Sequence, residues 1–282
     1  LSLNDPKQWR ARPDRELDAT AQKTFMEFST DCPNGYWPVY KGASFDIWNP
    51  DTGKYNAFAD PKEVLPWLQE KRLRAYKSTR ESVHKEFSRD FINNPNTLSP
   101  LEARIAFRDI TNRTNTRTVI PCLIPPKTFI TNTGPVLMFP RGDNKDVAYL
   151  LGILSSIPLD WYARRFVETH VNFFILNPFP IPRPSRKNHL WQSLVKISGR
   201  LAAPDERFRK WAQEIGVDYG PLETDLKQDK IHELDAIVSH LYGLTEKQVI
   251  HIFETFHKGW DYKSRINEVM RHYIAYSEKN NK

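Results

Sequence analysis

Four prolines alternate with other residues between Asn177 and Pro184. Proline restricts its own backbone torsion and lacks an N–H group, so this spacing forbids a helix and favours an extended passage. Strand patterns dominate the chain before this passage, and helical patterns dominate after it. A chain of 282 residues is close to the size at which a single core stops growing, so we expect two structural parts with a boundary near the passage.

The sequence before the proline passage has strand patterns that predict a small β-sheet. A hairpin is expected between Tyr36 and Ala59, with a strand through Phe45 and Ile47 and a turn at residues 49–53, because aromatic and β-branched residues alternate there before a turn-forming cluster. Breaks rich in Asn, Thr, Pro and Gly separate three further strands, which predicts a meander at residues 105–110, 118–124 and 136–139.

Helices are expected to pack on this sheet. Asp60, Pro61 and Glu63 have the order of an N-cap, a first-turn proline and a capping-box acid, which predicts a helix running towards Tyr76 that Pro66 delays or kinks. Apolar spacing predicts further helices at residues 16–28, at residues 147–157 and from residue 158 onward.

Helical patterns fill the chain after the passage. They lie at residues 191–201, 206–215 and 230–242, and Thr245 with Gln248 forms a capping box ahead of another helix. Gly243 is placed to end the preceding helix. The predicted fold class is therefore α+β: a small antiparallel or mixed β-sheet with packed helices, followed by an α-helical C-terminal subdomain.

Charge favours a polyanionic partner. The formal net charge is +7 and the isoelectric point is about 9.3, although charge alone does not separate DNA, RNA and membrane surfaces. No apolar run approaches the roughly 18 residues that cross a bilayer, and residues 1–31 have no signal-like stretch. We therefore expect a cytoplasmic protein with no membrane partner.

The sequence contains only partial matches to the motifs for catalysis, cofactor binding and metal binding. Only 11 glycines are present, and none has the GxG arrangement of a nucleotide-binding turn. Asn177 opens a tetrapeptide in which Phe179 interrupts the prolines, unlike the Asn-Pro-Pro-aromatic motif that holds a flipped base. His232 and Glu233 lack a second histidine, and Cys32 and Cys122 match no zinc spacing. We expect no catalytic, cofactor or metal site in this chain.

One segment, residues 104–117, has the composition of a nucleic-acid reader. Arginine forks pair with phosphates and guanine edges, and asparagine can hold adenine through two hydrogen bonds. A polar hairpin turn uses the same residue types, so both interpretations stay open here. The residues concerned are Arg104, Arg108, Asn112, Arg113, Asn115 and Arg117.

Five segments in order resemble the C-terminal target-recognition region of adenine-specific DNA modification methylases of the single-chain restriction-modification and phage-exclusion type. They are Trp37–Gly42, Arg104–Thr111 together with Asn115–Pro121, Tyr149–Ser156, Asp160–Pro182 and Glu233–Leu244. The resemblance implies that the chain reads a short sequence in double-stranded DNA. It would do so for an upstream domain or subunit, absent here, that binds S-adenosylmethionine and methylates adenine. Whether this chain itself belongs to an active enzyme stays open.

The resemblance also implies a division of the chain into domains and a set of DNA-contact residues. Residues 1–30 would be a helical lead-in or linker from an upstream domain, residues 31–186 the DNA target-recognition domain and residues 187–282 the helical C-terminal subdomain. Expected contacts to phosphates or base edges come from Lys41, Arg108, Arg113, Arg117, Lys127, Arg141, Arg164, Arg165 and Arg183, with Asn112, Asn115 and Asn172 as polar readers.

Alternatives remain for both residues and function. Arg164 and Arg165 could instead stabilise the C-terminal end of a helix and neighbouring carboxylates, and Phe173 and Phe174 are expected in the core. The chain could be an interaction scaffold or specificity subunit of a phage-defence complex, in which the helical tail from His189 docks against a methyltransferase or nuclease subunit. RNA binding is a third possibility, with Trp37, Trp48 and Tyr55 as stacking platforms.

Overall fold

The computed structural model describes Leu3, residues 10–112 and residues 114–280. Within these residues the chain forms eleven α-helices and seven β-strands, the latter in two small sheets. This confirms the predicted α+β class. No helix in the same residues is both long enough and apolar enough to cross a membrane.

The larger sheet contains the predicted meander. Its four strands are antiparallel in the order β1-β7-β4-β5. Ala106 is buried at its centre and pairs with Val136 on one side and Cys122 on the other. The sequence patterns do not predict β1, which joins at the edge. The bounds are β1 Arg10–Asp14, β4 Arg104–Phe107, β5 Pro121–Ile124 and β7 Val136–Arg141.

The smaller sheet has the order β3-β2-β6 and consists of β2 Trp37–Tyr40, β3 Ala57–Ala59 and β6 Phe129–Ile130. The antiparallel pair β2 and β3 is the predicted hairpin, while β6 runs parallel to β2. The predicted strand through Phe45 and Ile47 is wrong. Ser44 Oγ accepts a hydrogen bond from the Lys41 N–H at 2.9 Å, which turns the backbone into a short 3-10 helix instead.

Six helices precede the proline passage. Asp60 caps the second of them as predicted, and Pro66 lies inside it. Ser156 caps the fifth, with Pro158 in its first turn, so the break between the fourth and fifth helices also follows the prediction. The bounds are α1 Ala19–Phe25, α2 Pro61–Lys77, α3 Arg89–Asn93, α4 Asn144–Ser155, α5 Ile157–Ala163 and α6 Phe173–Leu176.

The proline passage contains no helix from Phe179 to Pro184, as predicted, although Asn177 and Pro178 form a turn after α6. Two tyrosines hold the passage. Tyr149 Oη on α4 donates to the Pro182 carbonyl at 2.8 Å, and Tyr242 Oη donates to the Pro180 carbonyl at 2.7 Å. Because proline has no N–H to donate, these bonds engage the passage through its carbonyl groups. The passage is thereby packed between helices on both sides of it.

Five helices follow: α7 His189–Ala202, α8 Arg209–Ile215, α9 Thr224–Leu241, α10 Glu246–Thr255 and α11 Lys263–Asn280. The capping box of Thr245 and Gln248 forms as predicted, and Gly243 adopts a left-handed φ of 66° directly after α9. The sequence patterns did not single out α11. Its buried residues Ile266, Val269 and Tyr273 nevertheless have helical spacing.

The hydrophobic core runs across the predicted boundary at residue 186. Helix α4 packs closely on α7, where a Cβ atom added to Gly152 would lie 2.8 Å from Leu194 Cδ1. Ser198 Oγ on α7 also donates to the Ala148 carbonyl at 2.6 Å. Leu123 and Leu234, from either side of the passage, belong to one buried cluster. The domain limits stay predictions, but the two parts share this core.

Asp235 joins two helices of the tail, α9 and α11, to α5 in the part before the passage. Its carboxylate is fully buried on α9, accepts a hydrogen bond from the Ile157 N–H at 2.8 Å and pairs with Arg265 of α11 at 2.6 Å. A buried carboxylate is tolerated when a hydrogen-bond donor and an opposite charge both contact it. Removing the carboxylate would leave the Arg265 charge without its partner.

We expect Asp235→Ala to lower the free energy of unfolding by about 3 kcal/mol, because Arg265 and the Ile157 N–H both lose their acceptor. Urea unfolding followed by circular dichroism measures this change. Asp218→Ala, at an exposed position, is the control and should change stability by less than about 0.5 kcal/mol. Equal effects of the two variants would contradict the role given to Asp235.

Candidate nucleic-acid interface

Loops from both sheets meet at one edge of the molecule. Strands β2 and β6 are parallel and end at the same edge, where the Thr131 N–H donates to the Tyr40 carbonyl at 2.9 Å. The segment after β4 joins them, since the Asp109 N–H donates to the Thr133 carbonyl at 3.0 Å. We call this surface the loop face, and within the described residues it comprises residues 41–46, 108–112, 114–118, 131–134 and 164–174.

The segment at residues 164–174 is hydrogen-bonded to the segment that follows β4. The Thr111 N–H donates to the Thr169 carbonyl at 3.0 Å, and the Val171 N–H donates to the Asp109 carbonyl at 2.8 Å. Ile110 and His170 form an isolated antiparallel bridge between these bonds. Residues from the predicted Arg-Asn segment and from the stretch after α5 therefore share one surface.

Several predicted contact residues lie on this face with solvent access. Arg165 is exposed, and its guanidinium carbon lies 4.0 Å from the centre of the Trp161 ring. Asn112 and Asn115 are exposed in the loop, and Asn112 Oδ1 accepts a hydrogen bond from the Thr114 N–H at 2.9 Å. Lys41 is half-buried at the end of β2. The geometry leaves these four residues as candidates for contact with a ligand.

Arg108 has partners within the loop face. Its Nε donates to the Phe45 carbonyl at 3.2 Å, and its Nη2 lies 3.3 Å from the exposed carboxylate of Asp46. Asp46 is a surface partner, and such exposed ion pairs contribute little stability. Arg108 can therefore exchange Asp46 for another anion at low cost.

Sequence reasoning missed two polar residues of this surface, Arg15 and His170. Arg15 Nη2 pairs with Asp109 at 2.8 Å, and His170 Nδ1 lies 3.5 Å from the same carboxylate. His170 was only part of a resembling segment, and Arg15 was assigned to a lead-in. No local motif marks either residue, because they are brought in by β1 and by the bridge at Ile110.

Arg117 points inward at the base of the loop. Its Nε donates to Asp160 Oδ2 at 2.6 Å and its Nη2 donates to the Ser155 carbonyl at 2.7 Å. Asp160 is fully buried on α5 and also accepts the N–H groups of Thr118 and Val119, each at 3.1 Å. These contacts favour a structural role for Arg117, and its contact with DNA stays a prediction.

Arg164 connects the loop to the helical tail. Its Nη2 donates to the carbonyls of Asn115 and Thr116, both at 2.6 Å, and its Nη1 lies 3.2 Å from His257 Nδ1. The guanidinium carbon lies 4.2 Å from the centre of the Phe256 ring. Burial lowers the pKa of Arg164 below its ordinary value, Asp160 opposes this shift, and Arg117 adds to it. An arginine remains charged despite such a shift.

The remaining predicted contact residues lie elsewhere or serve local structure. Lys127 is exposed in the turn before β6, and Arg141 is exposed at the end of β7, both at the edge opposite the loop face. Arg183 is half-buried and donates to the Leu3 carbonyl at 3.1 Å. Asn172 caps α6 through the Ile175 N–H at 3.0 Å. Arg113 lies outside the described residues.

The expectation that Phe174 lies in the core is wrong. Its side chain is 90% exposed, whereas Phe173 is half-buried beneath the Arg15 guanidinium, 5.2 Å from the ring centre. The helix α6 has four residues, so only some of its side chains can face the core. Ile110 and Phe166 are also exposed, by 61% and 53%.

An apolar cleft of about 450 Å³ opens on another part of the surface, lined among others by Phe87, Phe91 and Phe139. Its buried charged residue, Arg104, is paired with Glu16 at 2.6 Å. Among the described residues, no group of three His, Cys, Asp or Glu side chains is arranged to hold a metal ion. The lining also includes the carboxylates of Glu102, Asp143 and Glu214.

Arg164→Ala should loosen the loop at residues 114–117, because it removes two charge-assisted hydrogen bonds to loop carbonyls. We expect trypsin to cleave after Arg113 and Arg117 about tenfold faster, since one such bond contributes about 1.5 kcal/mol. Mass spectrometry of timed digests measures this rate. Arg165→Ala is the matched control, and the same acceleration in that variant would contradict the role of Arg164.

No protein-family model matches the chain, and none of the curated proteins compared with it matches. Among solved structures, it is similar to the Type IIL restriction-modification enzyme MmeI, determined in complex with DNA, at 13% sequence identity and a TM-score of 0.39. The similarity covers 87% of this chain and 35% of the MmeI chain. The chain thus spans about a third of the length of that enzyme.

Proposed function

We propose that this chain binds duplex DNA through the loop face and reads a short sequence there. It would be the recognition module of a restriction-modification type adenine-specific DNA methyltransferase, acting for a domain or subunit that binds S-adenosylmethionine. The observation that carries the proposal is the convergence of distant segments. Residues 37–42, 104–121 and 160–182 resemble the recognition regions of such methylases, and the chain brings parts of all three to one surface.

The chemistry of the loop face fits a nucleic-acid partner. Within the described residues, the loop face contains five Lys and Arg residues and three Asp and Glu residues. Arginine and lysine would hold phosphates and set the register of the duplex. The exposed amides of Asn112 and Asn115 would face base edges, since asparagine can both donate to and accept from adenine.

The scaffold alternative loses its main support in the fold. Leu234 and Phe253 of the tail are fully buried in the core. They are therefore not available to a partner. The exposed apolar residues of the tail, Leu226, Ile250 and Ile274, lie on three different helices. Isolated exposed apolar residues are ordinary on a protein surface and indicate no interface.

The RNA alternative depended on exposed aromatic platforms. Trp48 is only 5% exposed. Trp37 stacks on Phe129 with ring centres 5.2 Å apart, and Tyr55 stacks on Tyr40 at 5.6 Å. Rings that are packed against each other inside a fold present little surface to an unpaired base. The three rings named for RNA binding therefore give no support to that alternative, and duplex and single strand are separated by experiment.

Fluorescence anisotropy against a mixed-sequence DNA duplex and a single-stranded RNA of equal length, over a salt series, tests the proposal. We expect tighter binding to the duplex, with affinity that falls steeply as salt rises, because neutralised phosphates release counterions. Equal or tighter binding to RNA, or no duplex binding at about 50 mM salt, a condition that favours phosphate contacts, would overturn it.

Single substitutions separate the roles on this surface. Lys41→Ala and Arg165→Ala should each reduce the magnitude of the salt slope by about 1 and weaken binding similarly for all sequences, because each removes one phosphate contact. Asn115→Ala should instead change the preferred sequence in a selection from random duplexes. Lys62→Ala, at the far end of the small sheet on α2, is the control and should leave the slope unchanged.

A further inference from the structure

Phe174 is exposed although its neighbours are anchored. At 90%, it is the most exposed large hydrophobic side chain in residues 10–112 and 114–280. Leu176 on the same short helix is fully buried, and Asn172 caps the helix through the Ile175 N–H at 3.0 Å. The Phe174 ring therefore projects into solvent from a helix that is anchored to the core, not from an unanchored loop.

The surroundings of the ring identify what could cover it. The segment that bears Phe174 is bonded to the basic loop at Asp109, and the Arg15 guanidinium lies over the adjacent Phe173. An apolar protein partner would need to cover charged and amide groups together with the ring, and burying unpaired polar groups is unfavourable. A nucleic acid offers both partners at once, with phosphates for the cations and base faces for the ring.

Resting on the proposed function, we propose that Phe174 stacks on a base of the bound DNA, entering the base stack at or beside the recognised sequence. A phenyl ring can neither pair with a phosphate nor hydrogen bond to a base edge. Its contribution at this surface is therefore apolar contact with a base, and we assign stacking, as for other apolar side chains that wedge between base steps, rather than contact with a thymine methyl group. The exposed Ile110 and Phe166 lie on the same face and could support the opened step.

Insertion requires that one step of the duplex is unstacked. A duplex with a single abasic site already contains a gap of this kind, so less energy is needed to admit the ring. The intact chain should therefore bind a duplex with a central abasic site more tightly than the fully paired duplex of the same sequence. The ring, rather than charge, would be the source of that preference.

The test compares both duplexes by fluorescence anisotropy for the unaltered chain, Phe174→Ala, Phe174→Trp and Phe28→Ala. We expect Phe174→Ala to weaken binding by about 5- to 150-fold, the range for removing one aromatic side chain that stacks on a base, and to lose the preference for the abasic duplex. Phe174→Trp should retain the preference. Phe28 is also exposed, at 75%, but belongs to none of the segments of the loop face, so Phe28→Ala should behave as the unaltered chain.

The outcomes distinguish the two proposals. Salt-dependent duplex binding that Phe174→Ala leaves unchanged would overturn the stacking role alone. Absence of duplex binding by the unaltered chain would overturn both. A weakened Phe174→Ala with a melting temperature equal to that of the unaltered chain excludes loss of folding as the cause.

Discussion

The loop face depends on the buried carboxylate of Asp160. This side chain on α5 is fully buried and accepts the Arg117 guanidinium and the N–H groups of Thr118 and Val119. A carboxylate removed from water needs such partners, because an unpaired buried charge is strongly unfavourable. These hydrogen bonds fix the end of the loop to α5. Arg164, just after that helix, donates to the preceding loop carbonyls, those of Asn115 and Thr116. The shape of the surface thus follows from the helix behind it.

Local rules predicted much of the fold. The Asp60 cap, the Thr245 and Gln248 capping box and the apolar stripe of α4 each depend on residues within one or two turns, and each formed as expected. No local sequence pattern predicts strand β1, because its stability comes from pairing with β7, more than a hundred residues away. The strand expected through Phe45 failed for the opposite reason: a local Ser44 hydroxyl competed for the backbone.

The candidate site was less predictable than the fold. Composition identified the segment at residues 104–117, but an arginine pairs equally well with a phosphate or with a buried carboxylate. Only the fold separates Arg117, which meets Asp160, from Arg165, which faces solvent. Phe174 was placed in the core because an aromatic residue usually lies there. Its exposure depends on the length and anchoring of α6, which no pattern in the sequence specifies.

The way the proline passage is held has a mechanical consequence. It is gripped by tyrosines from α4 and from the end of α9, and the core continues across it. A connection held in this way resists bending, so the sheets and the helical tail would move together as one body. If the loop face binds DNA as proposed, the packing of this chain would also fix the orientation of the helical tail relative to the duplex.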